Sequence, residues 1–231
     1  MGTKVSNGRK KDLPAVKISK GSDDATNLWK IRGIEDVYFQ RESMVNFWTV
    51  MGGIAAGALL TQLAPLEQEV LASRWYLILF FISSFLTIVN SWMQSSWGSL
   101  VLRWPLNVPG TLIYFAGLFC LSIQSLLVTR PAGWMAASSA IVFLSMLMQY
   151  FFSRSGAWIV FSTVKIEKIR KNQKMYLIFL FIVLLGAFQL YLFPSRLAEM
   201  IWGGITLLIS ILALVIQHKD MQQEKIDLGI P

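Results

Sequence analysis

Cysteine and histidine occur once each, as Cys120 and His218. A single cysteine excludes an intrachain disulfide framework and a cysteine-based zinc cluster. A single histidine leaves no histidine-rich metal or haem site. Charge is scarce as well: charged residues make up 15% of the chain against 55% hydrophobic residues, with a mean hydropathy of +0.54. That is too little polar surface to coat a water-soluble globule of 231 residues. Acids are the rarer sign, 13 against 21 Lys and Arg, for a formal net charge of +8.

The sequence does hold apolar runs near the length of a bilayer crossing. A hydrocarbon core of ~30 Å needs ~20 helical residues. The runs 44–63, 75–92, 108–128, 134–152, 175–193 and 198–217 fit that length, and none has Asp, Glu, Lys, Arg or His near its middle. Glu199 stands in the first turn of the last run. Lipid offers no partner to an unpaired backbone N–H or C=O, so each run is expected to be an α-helix. The fold class that follows is an all-α integral membrane protein, a six-transmembrane-helix bundle. With both termini on one side, every Lys and Arg except Arg74, Arg130 and Arg196 falls on that side. The positive-inside rule then makes both termini cytoplasmic, in a plasma or inner membrane or its equivalent. The first run starts at residue 44 behind a basic stretch, which reads as an uncleaved signal anchor.

The chain divides into four parts on composition. Residues 1–27 are polar, basic and free of aromatics, the composition of a disordered tail. Their first residues fit the N-myristoylation pattern M-G-x-x-x-[ST]. Residues 28–43 place Ile34, Val37 and Tyr38 at i, i+3 and i+4, as in an amphipathic juxtamembrane helix at the membrane interface. Residues 44–217 form the transmembrane domain, with a basic cytoplasmic loop at 153–174, and 218–231 form a C-terminal tail. The connection at 95–107 is rich in Trp and moderately apolar, and reads as an interfacial or re-entrant segment. Each outer turn carries a Pro, an Arg and a nearby Trp (Trp75, Trp134, Trp202). Helix termination by Pro and the interfacial preference of Trp account for this without an internal repeat.

Catalysis lacks its parts. A nucleophile or an acid–base pair needs a partner that adjusts its protonation, and Cys120 and the serines of the spans have none in the sequence. No catalytic residue, cofactor or metal is expected. Chlorophyll or haem would want histidines in the spans, and proton or voltage coupling would want intramembrane charges. The uncharged polar residues of the spans are the candidate functional set: Asn90 and Gln94 at i, i+4 on one helix face, with Gln124, Gln149 and Gln189 on the three following spans. Such amides either join helices within the bundle or line a pore or pocket. Gly53 and Gly57 form a GxxxG pair suited to close helix contact, within the chain or between copies. Lys165, Lys168, Arg170, Lys171 and Lys174 form a basic cytoplasmic surface that attracts anionic headgroups or a partner protein. Nucleic-acid binding is not expected, because no aromatic residues interleave the charges of the tail.

The function read from the sequence is a non-catalytic membrane subunit, a scaffold or anchor that recruits partners at its basic cytoplasmic face. Two alternatives stand beside it. One is a homo-oligomeric channel or pore-forming effector gated from the cytoplasmic side. The other is a carrier or binder of a neutral or lipid-like ligand.

Overall fold

The computed structural model describes residues 34–101, 108–154 and 163–227, and among them every regular element is a helix. In chain order these are α1 (Ile34–Leu60), α2 (Leu63–Leu71), α3 (Leu77–Val101), α4 (Val108–Leu126), α5 (Pro131–Arg154), α6 (Thr163–Leu192) and α7 (Arg196–Asp227). Five stretches are long and apolar enough to cross a bilayer: Val45–Leu71, Leu77–Ser96, Pro131–Met148, Lys174–Leu192 and Arg196–Gln223. The sixth expected crossing corresponds to α4, whose apolar part Leu112–Leu126 is shorter. The α4 backbone runs for 19 residues, about 28 Å at the helical rise. The protein is an all-α, multi-pass membrane-spanning bundle.

Local sequence explains where the helices begin and end. Pro131 opens α5 at the position where a missing N–H costs no hydrogen bond. Ser195 precedes α7 and its Oγ accepts from the Ala198 N–H at 3.2 Å, capping the first turn. α2 ends in a Schellman motif: the Arg74 N–H donates to the Glu69 carbonyl at 2.9 Å and the Ser73 N–H to the Val70 carbonyl at 3.0 Å. That motif puts Ser73 at φ 69°, the left-handed region that glycine occupies without penalty.

Helix replaces several segments expected to be irregular. α1 runs unbroken from Ile34 into the first span, so over the described part of 28–43 no separate surface helix exists. The first outer connection contains α2, with Leu66 buried against the bundle. Helix α3 continues to Val101, which removes a re-entrant dip over 95–101, and 102–107 lie outside the described residues. The segment read as the loop 153–174 is helical at both described ends, in α5 to Arg154 and in α6 from Thr163. α7 carries on to Asp227, beyond the expected start of the C-terminal tail at 218. The tail 1–27, with its myristoylation pattern, lies outside the described residues.

The helices close into a ring. α1 packs on α3 and α4, α4 on α5, α5 on α6, and α3 on α7, while α6 and α7 touch little despite their short connection. Small residues bring the tight pairs together. A side chain at Gly203 would lie 3.1 Å from the Phe80 ring and 3.2 Å from Leu79, so α7 and α3 meet nearly backbone to side chain. A side chain at Gly186 would meet Met135 Cε and, at 2.8 Å, the Trp202 ring, so α6 is pressed between α5 and α7 at that level. Phe80, Leu77, Leu121, Met135 and Val128 are completely enclosed. Phe181, Phe188 and Tyr191 of α6 face outward, as the lipid side of a bundle requires.

The tryptophans divide in two. Trp75 and Trp92 are exposed and suit an interfacial belt. Trp48, Trp134 and Trp202 are 5%, 2% and 6% exposed, so they belong to the core rather than to the belt. The Trp134 indole donates to Ser84 Oγ at 2.7 Å and that of Trp202 to Gln189 Oε1 at 3.0 Å. Burial of an indole favours such a partner, and a neighbouring helix supplies one to Trp134 and Trp202, while the Trp48 indole is buried without an acceptor among the described residues.

Candidate functional site

Inside the ring, α3, α4, α5, α6 and α7 enclose a cavity of about 150 Å³. One wall is polar at helical spacing. Thr87, Asn90, Ser91 and Gln94 recur at i, i+3, i+4 and i+7 along α3, and Ser138 and Ser145 stand seven apart on α5. α4 adds Gln124, and α7 adds Thr206, Ser210 and Gln217. The other wall is apolar, made by Met175, Phe179 and Val183 of α6 with Ile209, Ala213 and Ile216 of α7. Tyr176 and Asp220 line the end nearer the basic segments.

Hydrogen bonds fix how the deepest amide is oriented. Ser138 Oγ donates to the Trp134 carbonyl at 2.8 Å, so its single proton is committed and its oxygen is left to accept. Gln124 therefore turns its Nε2 to Ser138, at 2.7 Å, and leaves Oε1 facing away from that bond. Gln124 is 1% exposed, and its Oε1 is buried with no hydrogen-bond donor. Asn90 Oδ1 is buried and undonated in the same way. Each such acceptor costs about 1–3 kcal/mol when nothing donates to it. Both residues line the cavity, and each buries an acceptor oxygen to which no described residue donates.

The Trp134–Ser84 bond joins α5 to α3, and both helices run away from the turns that precede them. Ser138 is near the middle of the span Pro131–Met148, Asn90 is about two-thirds of the way along Leu77–Ser96, and Gln124 is close to the end of α4.

Of the residues singled out from the sequence, the fold brings Asn90, Gln94 and Gln124 to one cavity within a single chain. Gln189 stands elsewhere, exposed near the end of α6, where it accepts from the Trp202 indole. Gln149 is in α5, and its side chain lies outside the described residues. Gly53 and Gly57 have no atom of the described residues within 4 Å of their would-be side chains, so no described helix packs on them. Lys174 is exposed at the start of an apolar stretch, while the side chains of Lys165, Lys168, Arg170 and Lys171 lie outside the described residues on a helical backbone. The hydroxyl residues of α5 and α7 were not singled out. Their spacing at i, i+4 and i+7 across apolar helices is the signal that marks them.

A second polar cluster lies at the turn end. The Arg74 guanidinium reaches Glu69 Oε2 at 2.8 Å and Glu199 Oε2 at 3.1 Å, and the Tyr76 hydroxyl donates to Glu199 Oε2 at 2.6 Å. Partial burial works against the Arg74 charge, but hydrogen bonds with Tyr76, Glu199 and Glu69 outweigh it and hold the guanidinium above its ordinary range. The cluster ties the start of α7 to the α2–α3 connection and leaves its charges mutually satisfied, which suits a structural latch.

Set against protein-family models, curated proteins and solved structures, the chain matches none.

Proposed function

We propose that this membrane-spanning bundle binds a neutral ligand that donates hydrogen bonds, held in the cavity between α3, α4, α5, α6 and α7. The observation that carries this reading is the pair of buried, undonated acceptors, Gln124 Oε1 and Asn90 Oδ1, on two residues that line one partly apolar cavity. Natural interiors pair their buried polar groups, and a bound molecule is one way to complete such a set. Gathering Asn90, Gln94 and Gln124 inside one chain favours a binding cavity over a homo-oligomeric pore lined by the same residues. The role is non-catalytic, because the polar wall offers amides and hydroxyls without a base beside a nucleophile.

The membrane placement remains part of this proposal: a plasma or inner membrane with both termini in the cytoplasm, supported by the one-sided distribution of Lys and Arg. A second reading, partner recruitment at the basic face, is supported by the helical extension of α6 through 163–174. Lys165, Lys168, Arg170, Lys171 and Lys174 fall on that helical backbone, and such a cluster of basic residues attracts anionic headgroups or a partner chain. A liganded bundle that reports through this face would unite the two.

The test is a thermal-shift series on the purified protein with small uncharged alcohols and amides. A ligand at one hundred times its Kd raises stability by about 2.7 kcal/mol. Stabilisation of the wild type that disappears in Gln124→Leu is expected. Equal shifts in both proteins would place binding elsewhere.

A further inference from the structure

The cavity has a side as well as an interior, and the side faces lipid. α6 and α7 are joined by a short connection, yet they make the sparsest contact of any neighbouring pair in the ring. The residues bordering that seam, among them Phe179 and Ala213, are half-buried, whereas Gln124 on the far wall is 1% exposed. Exposure falls from the seam to Gln124, while Asn90 is half-buried like the seam residues. No aqueous route is needed to reach Gln124 from the seam.

Charge restricts the occupant further. The acceptors belong to the apolar helices of the bundle, and an ionised group at the centre of a bilayer costs at least ~2.5–3.5 kcal/mol. The lining contains no Lys, Arg or His to pair with an anionic head. Two amide residues, each with an undonated oxygen, on the lining of one cavity suit a small head that carries hydroxyls. The facing wall of Phe179, Val183 and Ile209 suits a hydrocarbon tail. At about 150 Å³ the cavity matches one that holds a benzene-sized molecule, so it takes the head and the first carbons and leaves the rest of the tail outside.

Resting on the binding reading above, we infer that the ligand is an uncharged, hydroxyl-bearing membrane amphiphile that enters from the bilayer between α6 and α7. Its hydroxyls donate to Asn90 Oδ1 and Gln124 Oε1, and its tail leaves through the seam past Ala213.

Native mass spectrometry of the full chain in phosphatidylcholine nanodiscs tests this, with 1-oleoylglycerol, oleate, oleylamine and free glycerol as probes. The expected result is saturable one-to-one occupancy by 1-oleoylglycerol alone. Gln124→Leu and Asn90→Leu are each expected to weaken it up to about tenfold, the worth of one hydrogen bond. Ala213→Phe narrows the seam and is expected to slow loading from the bilayer. Its folding is checked by its elution as a monodisperse species, and the two amide variants carry the test if it fails. Occupancy by free glycerol that depends on Gln124, without occupancy by 1-oleoylglycerol, overturns the amphiphile and leaves the binding reading standing. Equal occupancy by oleate or oleylamine overturns the requirement for a neutral head. No probe bound in a manner sensitive to Asn90 or Gln124 overturns both readings together.

Discussion

Adding one methyl group at Gly186 should unsettle this bundle more than adding it at either glycine of the GxxxG pair. A Cβ at Gly186 lands against Met135 Cε and 2.8 Å from the Trp202 ring. The Met135 end is flexible and moves at little cost. The Trp202 ring is buried and held by its indole bond to Gln189 Oε1 at 3.0 Å, so it yields only by straining that bond. Overpacking of this kind costs about 1–3 kcal/mol, and a strained interhelical bond adds roughly 0.6 kcal/mol. The better helix propensity of Ala returns up to about 1 kcal/mol. With that offset in full, Gly186→Ala is expected to lose about 0.5–2.5 kcal/mol. Gly53→Ala and Gly57→Ala meet nothing within 4 Å and are expected to be neutral or to gain up to about 1 kcal/mol. Reversible unfolding in mixed micelles of rising denaturing-detergent fraction measures all three on one scale. Gly186→Ala as stable as the wild type, or Gly53→Ala more damaging than Gly186→Ala, would refute the packing described for α5, α6 and α7.

Three further outcomes follow from local geometry. Ser73→Gly should stabilise the protein by about 0.5–1 kcal/mol in the same assay, because it relieves a left-handed residue at the end of α2 while adding some unfolded-state freedom; a loss of stability would contradict the Schellman cap. Arg74→Met should cost about 1–3 kcal/mol by leaving Glu199 partly buried and unpaired, and the double variant Arg74→Met with Glu199→Gln should recover part of that loss. The Arg74 pKa is raised on folding, so its contribution is complete below the ordinary arginine range and is lost only above it. The difference between wild type and Arg74→Gln should accordingly stay constant as the arginine is followed from pH 8 to pH 10, and a decline across that window would exclude the latch geometry.

The helical spans were legible because the bilayer leaves so little choice. A run of twenty apolar residues without charge must satisfy its own backbone, and that requirement identifies the apolar, membrane-length parts of α3, α5, α6 and α7. The ends were less legible. Thr163–Lys174 and 218–227 are polar and charged, yet both continue as helix from the spans they adjoin. Hydropathy marks where lipid begins, and the helix does not stop there. The buried tryptophans were misread for a related reason. Trp134 and Trp202 sit at the ends of apolar runs, where an interfacial belt is the usual explanation, and only the tertiary fold brings Ser84 and Gln189 within reach of their indoles. In the candidate site, Asn90 and Gln94 stood out as an i, i+4 pair of amides. That Gln124 joins them and Gln189 does not depends on which helices are neighbours in the ring. Spacing within one helix carries no information about that order.

The account centres on Asn90 and Gln124 sharing one occupant inside the bundle. An experimentally determined density map of the protein purified from membranes in a mild detergent tests this most directly. The predicted result is continuous non-protein density within hydrogen-bond distance of both Gln124 Oε1 and Asn90 Oδ1, extending toward Ala213 and absent from the Gln124→Leu variant. A cavity closed by direct pairing of the two amides with neighbouring side chains would contradict it.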